Sequence, residues 1–329
     1  MQIDFVIPWV DGSDHEWIKE FNKYCPQDKQ IDTSNIRYRD NGLLKYWFRG
    51  VEKFAPWVRK VHFITNGQKP EWLNLQAPKL NFVKHSDYIP KEYLPIFSSH
   101  PIELYMHNIK DLSEHFVYFN DDTLLTNFIE QEFFFKDGLP CDCAILNVNA
   151  PKYFAHILLN NCIEINKNFN FYSVIKNNFF KWFNYKYGFD MLRTIFLLPY
   201  PRFNGFIDWH FAQPFKKSVI KEVWDKCDDV LLDTMNSKFR NITDVNQYLF
   251  RYWRLCKGEF HPTNFGNKKY FDFGYKKASN VDELCNAIKT KKYKEICIND
   301  GEIENYDDIM QNVQKAFDSI LPEKSKFEL

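Results

Sequence analysis

Residues 3–17 read IDFVIPWVDGSDHEW. The run IDFVIPWV is apolar and rich in strand formers, and it stops at Asp11-Gly12-Ser13-Asp14, a strong turn signal. His15 to Tyr24 then reads as a helix, with Ser13 or Asp14 as its N-cap. The same order recurs downstream. From Asp40-Asn41, a second cap-like pair, apolar positions Leu43, Leu44, Trp47, Phe48, Val51 and Phe54 return at three- and four-residue spacing until Pro56 stops them. VHFIT (61–65) is the next strand and ends in Asn66-Gly67. LNFV (80–83) is another. His107 to Leu112 is expected to be helical, and FVYFNDD (116–122) is the strand after it.

Near-continuously apolar strands alternating with helices predict an α/β fold, a Rossmann-like or GT-A-like doubly wound sheet of buried parallel strands. Such sheets place their ligand crevice at the carboxyl ends of the strands. Asp11, Asn66, Asp121 and Asp122 all stand where a predicted strand ends. The expected organisation is a core over 1–144, a helical insertion over 145–204, and a mostly helical remainder over 205–329. In that remainder Ser218–Trp224, Val245–Arg254 and Tyr306–Ile320 have helical spacing.

Composition narrows the function classes. Lys plus Arg equals Asp plus Glu, 43 each, in 329 residues. That balance argues against nucleic acid or an acidic membrane as a bulk electrostatic partner and leaves only local basic patches open. Eight cysteines are scattered without framework spacing, and Cys141-Asp142-Cys143 has no second pair to complete a zinc site. They read as reduced thiols of a cytoplasmic protein. The first residues lack the basic and apolar regions of a signal peptide, and no run reaches the length of a membrane span. Asn241-Ile242-Thr243 is a sequon without a secretory context. There is no GxxxxGK[ST] or GxGxxG loop, no GxSxG elbow and no HExxH, which removes support for P-loop kinases, classical dehydrogenases, α/β-hydrolases and zinc proteases.

The insertion stands apart. INKNFNFYSVIKNNFFKWFNYKYGF (165–189) holds ten aromatics between Phe169 and Phe189, interleaved with lysines. Ile175, Phe179, Trp182 and Phe183 share one helical face. That face suits an amphipathic helix packed on the core, the favoured reading. It also suits a basic-aromatic surface for a membrane or a glycan acceptor.

Five positions carry candidate chemistry. Asp121 and Asp122 follow a buried-type strand, and two carboxylates on one turn suit a hard divalent cation. Turn formation alone accounts for them equally well. His210, in FIDWHFAQP, could act as a base near neutral pH or simply pack among apolar neighbours. Glu103, in SSHPIELYMH, is expected to open a helix, where the dipole favours an acid. Arg240, in SKFRNITD, could clamp a phosphate or stay solvated.

Several segments together resemble one family. The stretch 3–17 resembles the first signature of the Stealth-type sugar-phosphate transferases. RYRDNGLLKYWFRGVEKFAPWVRKVHFITNGQKPEWLN (37–74) and HSDYIPKEYLPIFSSHPIELYMHNIKDLSEHFVYFNDDTLL (85–125) resemble the second. GFIDWHFAQPFKKSVIKEVW with KFRNITDV, across 205–245, resembles the third, and KEICINDGE with LPEKSKFE, across 294–328, the fourth. Departures are Gly42, Leu43, Trp47 and Gly50 in the second signature, His15 in the first, and Ala212 in the third, and they bear on acceptor choice. The family includes bacterial capsular polysaccharide phosphotransferases and the eukaryotic transferase that places N-acetylglucosamine-1-phosphate on lysosomal enzymes.

The resemblance implies transfer of a hexose-1-phosphate from a UDP-sugar to a glycan hydroxyl, releasing UMP, with Mg²⁺ or Mn²⁺. It implies that Asp121 and Asp122 are the metal-proximal pair. Catalytic roles pass to His210, Glu103, Arg240 and Asp122, and donor contacts to Trp9, Asp11, Gly12, Asp40, Asn41 and Asn120. Residues 1–144 would then bind the nucleotide-sugar, and 145–204 would face the acceptor. A cytoplasmic place, peripheral at the inner face of a bacterial plasma membrane, is the matching expectation. Two rivals stay open: a metal-dependent glycosyltransferase that releases UDP, and a non-catalytic glycan- or membrane-binding module.

Overall fold

The computed structural model describes residues 1–25, 38–149, 155–273, 280–299, 301 and 305–329. Arg37, Asp300 and Glu302 of the quoted signatures lie outside these. The strands are β1 (Ile3–Pro8), β2 (Val61–Thr65), β3 (Leu80–Lys84), β4 (His115–Tyr118), β5 (Thr123–Leu125), β6 (Phe135–Lys136), β7 (Leu139–Asp142), β8 (Gln213–Lys216), β9 (His261–Pro262), β10 (Lys268–Asp272) and β11 (Glu295–Asn299). The helices are α1 (His15–Tyr24), α2 (Leu44–Phe54), α3 (Ser99–Leu104), α4 (Ala155–Asn168), α5 (Phe171–Asn177), α6 (Phe179–Trp182), α7 (Met191–Leu197), α8 (Lys217–Lys226), α9 (Asp228–Met235), α10 (Tyr248–Lys257), α11 (Val281–Lys289) and α12 (Tyr306–Ile320).

The main sheet has the order β3-β2-β1-β4-β8. Its first four strands are parallel and β8 closes the edge antiparallel to β4. This is the α/β architecture that the apolar runs predict, and β1 shows why its run is continuous. Phe5 and Ile7 enter one core with Trp47, Phe48 and Phe317, whereas Val6 enters the opposite core with Met106, Phe116 and Phe250. Val117 and Phe119 likewise face one layer while Phe116 and Tyr118 face the other. A strand covered on both faces has no solvent side to make polar.

Asp4 is the exception in β1. It is fully buried and accepts two hydrogen bonds from Arg59 (2.9 and 2.6 Å), one from the Ser113 amide (2.8 Å), and lies 3.0 Å from His62 Nε2. Those donors hold its carboxyl below the usual range despite burial.

Two small sheets add to the main one. β5 pairs antiparallel with β11, which pairs parallel with β10, and β7 joins β6 to β9. The expected helix over 107–112 is instead a single 3₁₀ turn at Met106–Asn108. The single aromatic helix expected around 175–183 is two short helices, broken at Asn178, which leaves Ile175 and Trp182 buried but Phe179 half-exposed. Among the described residues no helix is long and apolar enough to cross a membrane.

Candidate functional site

The order 3-2-1-4 reverses direction between β1 and β4, so their carboxyl ends flank a topological switch point, where open α/β sheets bind ligands. β1 runs out into Trp9, Asp11 and Gly12. β4 runs out into Asn120, Asp121 and Asp122. The register Val6↔Tyr118 sets these two ends side by side.

The first loop is tied from both sides. The Asp11 amide donates to Gln68 Oε1 (3.1 Å), Gln68 Nε2 donates back to the Asp11 carbonyl (2.8 Å), and the Asp11 carboxylate accepts from the amide and hydroxyl of Ser13 (2.8 and 2.6 Å). Gly12 donates to the Tyr38 carbonyl (2.8 Å), and a Cβ there would meet Tyr38 at 2.6 Å, so only glycine allows this approach. Asp14, the actual N-cap of α1, accepts from the Trp17 amide (2.7 Å). Asp40 and Asn41 form paired turns before α2, accepting from the Gly42 and Leu43 amides (3.1 and 2.9 Å).

The second loop is pinned to a different sheet. Thr123 donates to the Asn120 carbonyl (3.1 Å), and the Ile298 amide of β11 donates to the Asp122 carbonyl (2.8 Å). Pairing of Thr123 with Cys297 then sets the Cys297 thiol beside the Asp122 carboxylate, to which it donates (3.3 Å). His210 arrives from the segment before β8. Its Nδ1 lies 3.3 Å from Asp122 Oδ2 and 3.4 Å from Cys297 Sγ, while Asn120 Nδ2 donates to its Nε2 (2.8 Å). With Nε2 accepting, the proton sits on Nδ1 and points at Asp122, the arrangement that orients an imidazole as a base.

Three buried clamps hold the His210 segment. Glu295 accepts from the Ala212 amide (2.6 Å), Gln213 donates to the Trp209 and Phe211 carbonyls (3.3 and 3.1 Å), and Arg251 grips Asp208 (2.7 Å). Asp122, His210 and Cys297 each offer one ligand atom, all within 4.8 Å of one another, so together they could hold a metal ion.

Charge is concentrated here. Enclosure by the surrounding protein and the like charge of Asp122 raise the Asp121 carboxyl to about 7, and Asp40 adds to the same repulsion. Solvent reaches Asp121, so the like charge is the more durable of the two causes.

Glu103 is also raised to about 7, by burial, although the Gln247 amide (3.3 Å), the positive charge of Arg240 and the Tyr118 hydroxyl (3.2 Å) oppose the shift. It does not open a helix. It is the fifth of six residues of α3, turned inward, so the helix dipole does not explain it. Arg240 precedes no N-cap either. It lies on the loop before α10, and that loop is fixed by the buried pair of His100 with Asp244 (2.9 Å), itself bonded to the Asn241 amide (2.9 Å). The structure thus forms two groupings. One is Asn120, Asp121, Asp122, His210 and Cys297. The other is Glu103 with Tyr118, Gln247 and Arg240, and Tyr248 feels charges of both. Cys297 was not legible from its run, KEICINDGE, because strand pairing brings it to Asp122, 175 residues distant in sequence.

Fold and site define an α/β enzyme with an acid-imidazole cluster at its switch point. The chain belongs to the Stealth family. The description "Stealth protein CR1, conserved region 1" matches residues 1–27 and "Stealth protein CR2, conserved region 2" matches 37–141. The chain is 43% identical over 333 residues to a capsular polysaccharide phosphotransferase WcwK of Streptococcus pneumoniae, covering 99% of this chain and 98% of that protein. It is 41% identical over 331 residues to the exopolysaccharide phosphotransferase cps2G of Lactiplantibacillus plantarum, covering 99% and 96%. It is 38% identical over 340 residues to the receptor polysaccharide phosphotransferase WefC of Streptococcus gordonii, covering 100% and 99%.

Proposed function

We propose that this enzyme transfers a hexose-1-phosphate, or an N-acetylhexosamine-1-phosphate, from a UDP-sugar to a hydroxyl of a glycan acceptor in the synthesis of a capsular or surface polysaccharide. The supporting observation is the cluster at the β1–β4 switch point, where His210 lies within hydrogen-bond reach of both Asn120 and Asp122. The names of full-length relatives support the same class.

In this reading the acceptor hydroxyl attacks the β-phosphorus of the donor. The new bond joins that oxygen to phosphorus, and the bond to the bridging oxygen breaks, so UMP leaves. The sugar's C1–O bond is untouched. His210 Nε2 takes the hydroxyl proton once the acceptor displaces Asn120 from it, and Asp122 stabilises the imidazolium that results. Arg240 offsets charge on the transferring phosphoryl group, and its positive charge also acts on Glu103.

A bound divalent cation would neutralise the pyrophosphate. Asp121 and Asp122 supply the oxygen donors that Mg²⁺ or Mn²⁺ takes. Cys297 and His210 are softer donors better suited to other metals, which leaves the imidazole to its proton. Incubation with UDP-sugars, Mg²⁺ and acceptor oligosaccharide, followed by identification of the nucleotide, tests the proposal. UMP supports it, UDP supports glycosyl transfer instead, and release of neither supports a binding module. Undiminished turnover after chelation would refute the metal's role.

A further inference from the structure

The aromatic segment buries Phe171, Ile175 and Trp182 in the core, but its last helix presents an apolar stripe outward. On α7 the one fully buried residue is Thr194, whose hydroxyl accepts from the Leu146 amide (3.0 Å). Leu192, Ile195 and Phe196, at the three- and four-residue spacing of one helical stripe, face solvent, and Phe196 is 78% exposed. A surface helix ordinarily turns such a stripe to the core. Phe189, just before α7, is 92% exposed, and Phe180 on α6 is 83% exposed. These rings are not frayed ends. Tyr187 donates to the Lys181 carbonyl (2.7 Å) and Tyr172 to the Leu198 carbonyl (3.4 Å), which ties the short helices together.

Charge identifies the occupant. The chain as a whole is neutral, yet residues 155–204 carry Lys167, Lys176, Lys181, Lys186, Arg193 and Arg202 against Glu164 and Asp190 alone. Both acids are already engaged, by Lys167 (2.7 Å) and Arg193 (3.3 Å). Lys181 and Lys186 donate to the carbonyls of Gly258 and Pro262, with the charge of Glu259 acting on Lys181, while Lys176 and Arg202 stay exposed. Protruding phenylalanines among exposed cations fit the interface of an anionic bilayer. A second copy of the chain fits less well, because symmetric pairing would set like charge against like.

We infer that α6 and α7 dock the protein on an anionic membrane surface, with Phe180, Phe189 and Phe196 as the inserting rings and Lys176 and Arg202 meeting headgroups. The base of the segment, Tyr187 and Met191, packs with Ile207 and Trp209, next to His210.

Flotation of the full chain with phosphatidylcholine vesicles, with and without phosphatidylglycerol, tests this independently of turnover. The expected result is binding to the anionic vesicles that F180A/F189A/F196A reduces by about tenfold or more. K176E/R202E should weaken binding only where phosphatidylglycerol is present, and should keep the test decisive if the ring variant folds poorly. Absence of flotation, equal binding by both variants, or a solution dimer that the ring variant dissolves would overturn the inference.

Discussion

Arg251→Met is the most informative perturbation of the site's foundation. Arg251 is fully buried on α10 and donates to both oxygens of Asp142 (2.9 Å each) and to Asp208 (2.7 Å). Asp142 also accepts from Arg254, so it keeps a cation in the variant. Among the described residues Asp208 keeps only the Tyr252 hydroxyl. Burial already raises the Asp208 carboxyl to about 6 even with Arg251 opposing the shift. Removing one partner of a buried ion pair costs about 3–5 kcal/mol. Asp208 can limit the loss by taking a proton, at about 1.36 kcal/mol per pH unit between its new pKa and the solution pH. Methionine fills much of the vacated volume, so packing adds little. The expected loss near neutral pH is therefore about 3–4 kcal/mol, read by urea unfolding followed through tryptophan fluorescence. Arg251→Met with Asp208→Asn should recover part of it, because the stranded charge is gone. Turnover of folded Arg251→Met should fall more in kcat than in KM, since Asp208 anchors the segment carrying His210. A stability loss under about 1 kcal/mol would show that the cluster is solvated or already neutral, and would refute the reasoning.

Other outcomes follow from the same geometry. His210→Ala should cost about 10²–10⁴ in kcat, the usual range for a lost general base, with near-normal donor binding by calorimetry; turnover within a few-fold of the parent would reassign the base. Glu103 keeps its proton up to about 7 in the folded chain but loses it near 4.5 when unfolded. Stability from this group is thus lost as pH rises from 4.5 to 7, by at most about 3 kcal/mol. Glu103→Gln should flatten that slope in urea titrations across the window, and parallel curves for parent and variant would contradict it. Cys297→Ser should retain turnover within about tenfold, because a hydroxyl also donates to Asp122; loss of activity together with loss of a bound metal would make the thiol a ligand.

What the sequence discloses about the fold follows the range of the interactions. β1, β2 and α1 are read almost to the residue because apolar period, turn residues and caps act within a few positions. β5, β8, β10 and β11 escape, because each is a short strand whose existence depends on a distant partner rather than on its own pattern. Glu103 shows the same limit from the side of the site. Its position near a helix is legible. Its burial against Tyr118 and the Gln247 amide is not, since those partners arrive from β4 and from the loop before α10. Arg251 and Asp142 have no local signal at all.

The turn Asn120-Asp121-Asp122 divides two tasks by direction. Asp122 has one oxygen taken by the Thr123 hydroxyl (3.1 Å), while the other faces His210 and Cys297. Its carboxylate is therefore committed to orienting groups. Asp121 is open to solvent and repelled by Asp122 and Asp40, a crowding of negative charge that a cation would relieve. In the proposed reaction the ion would then belong first to Asp121, with Asp122 shared between ion and imidazole. Asp121→Asn should raise the Mg²⁺ concentration needed for half-maximal activity and leave kcat at saturating Mg²⁺ near the parent's. Asp122→Asn should shift both. If instead Asp121→Asn left the metal requirement unchanged, the turn's first carboxylate would serve the backbone alone.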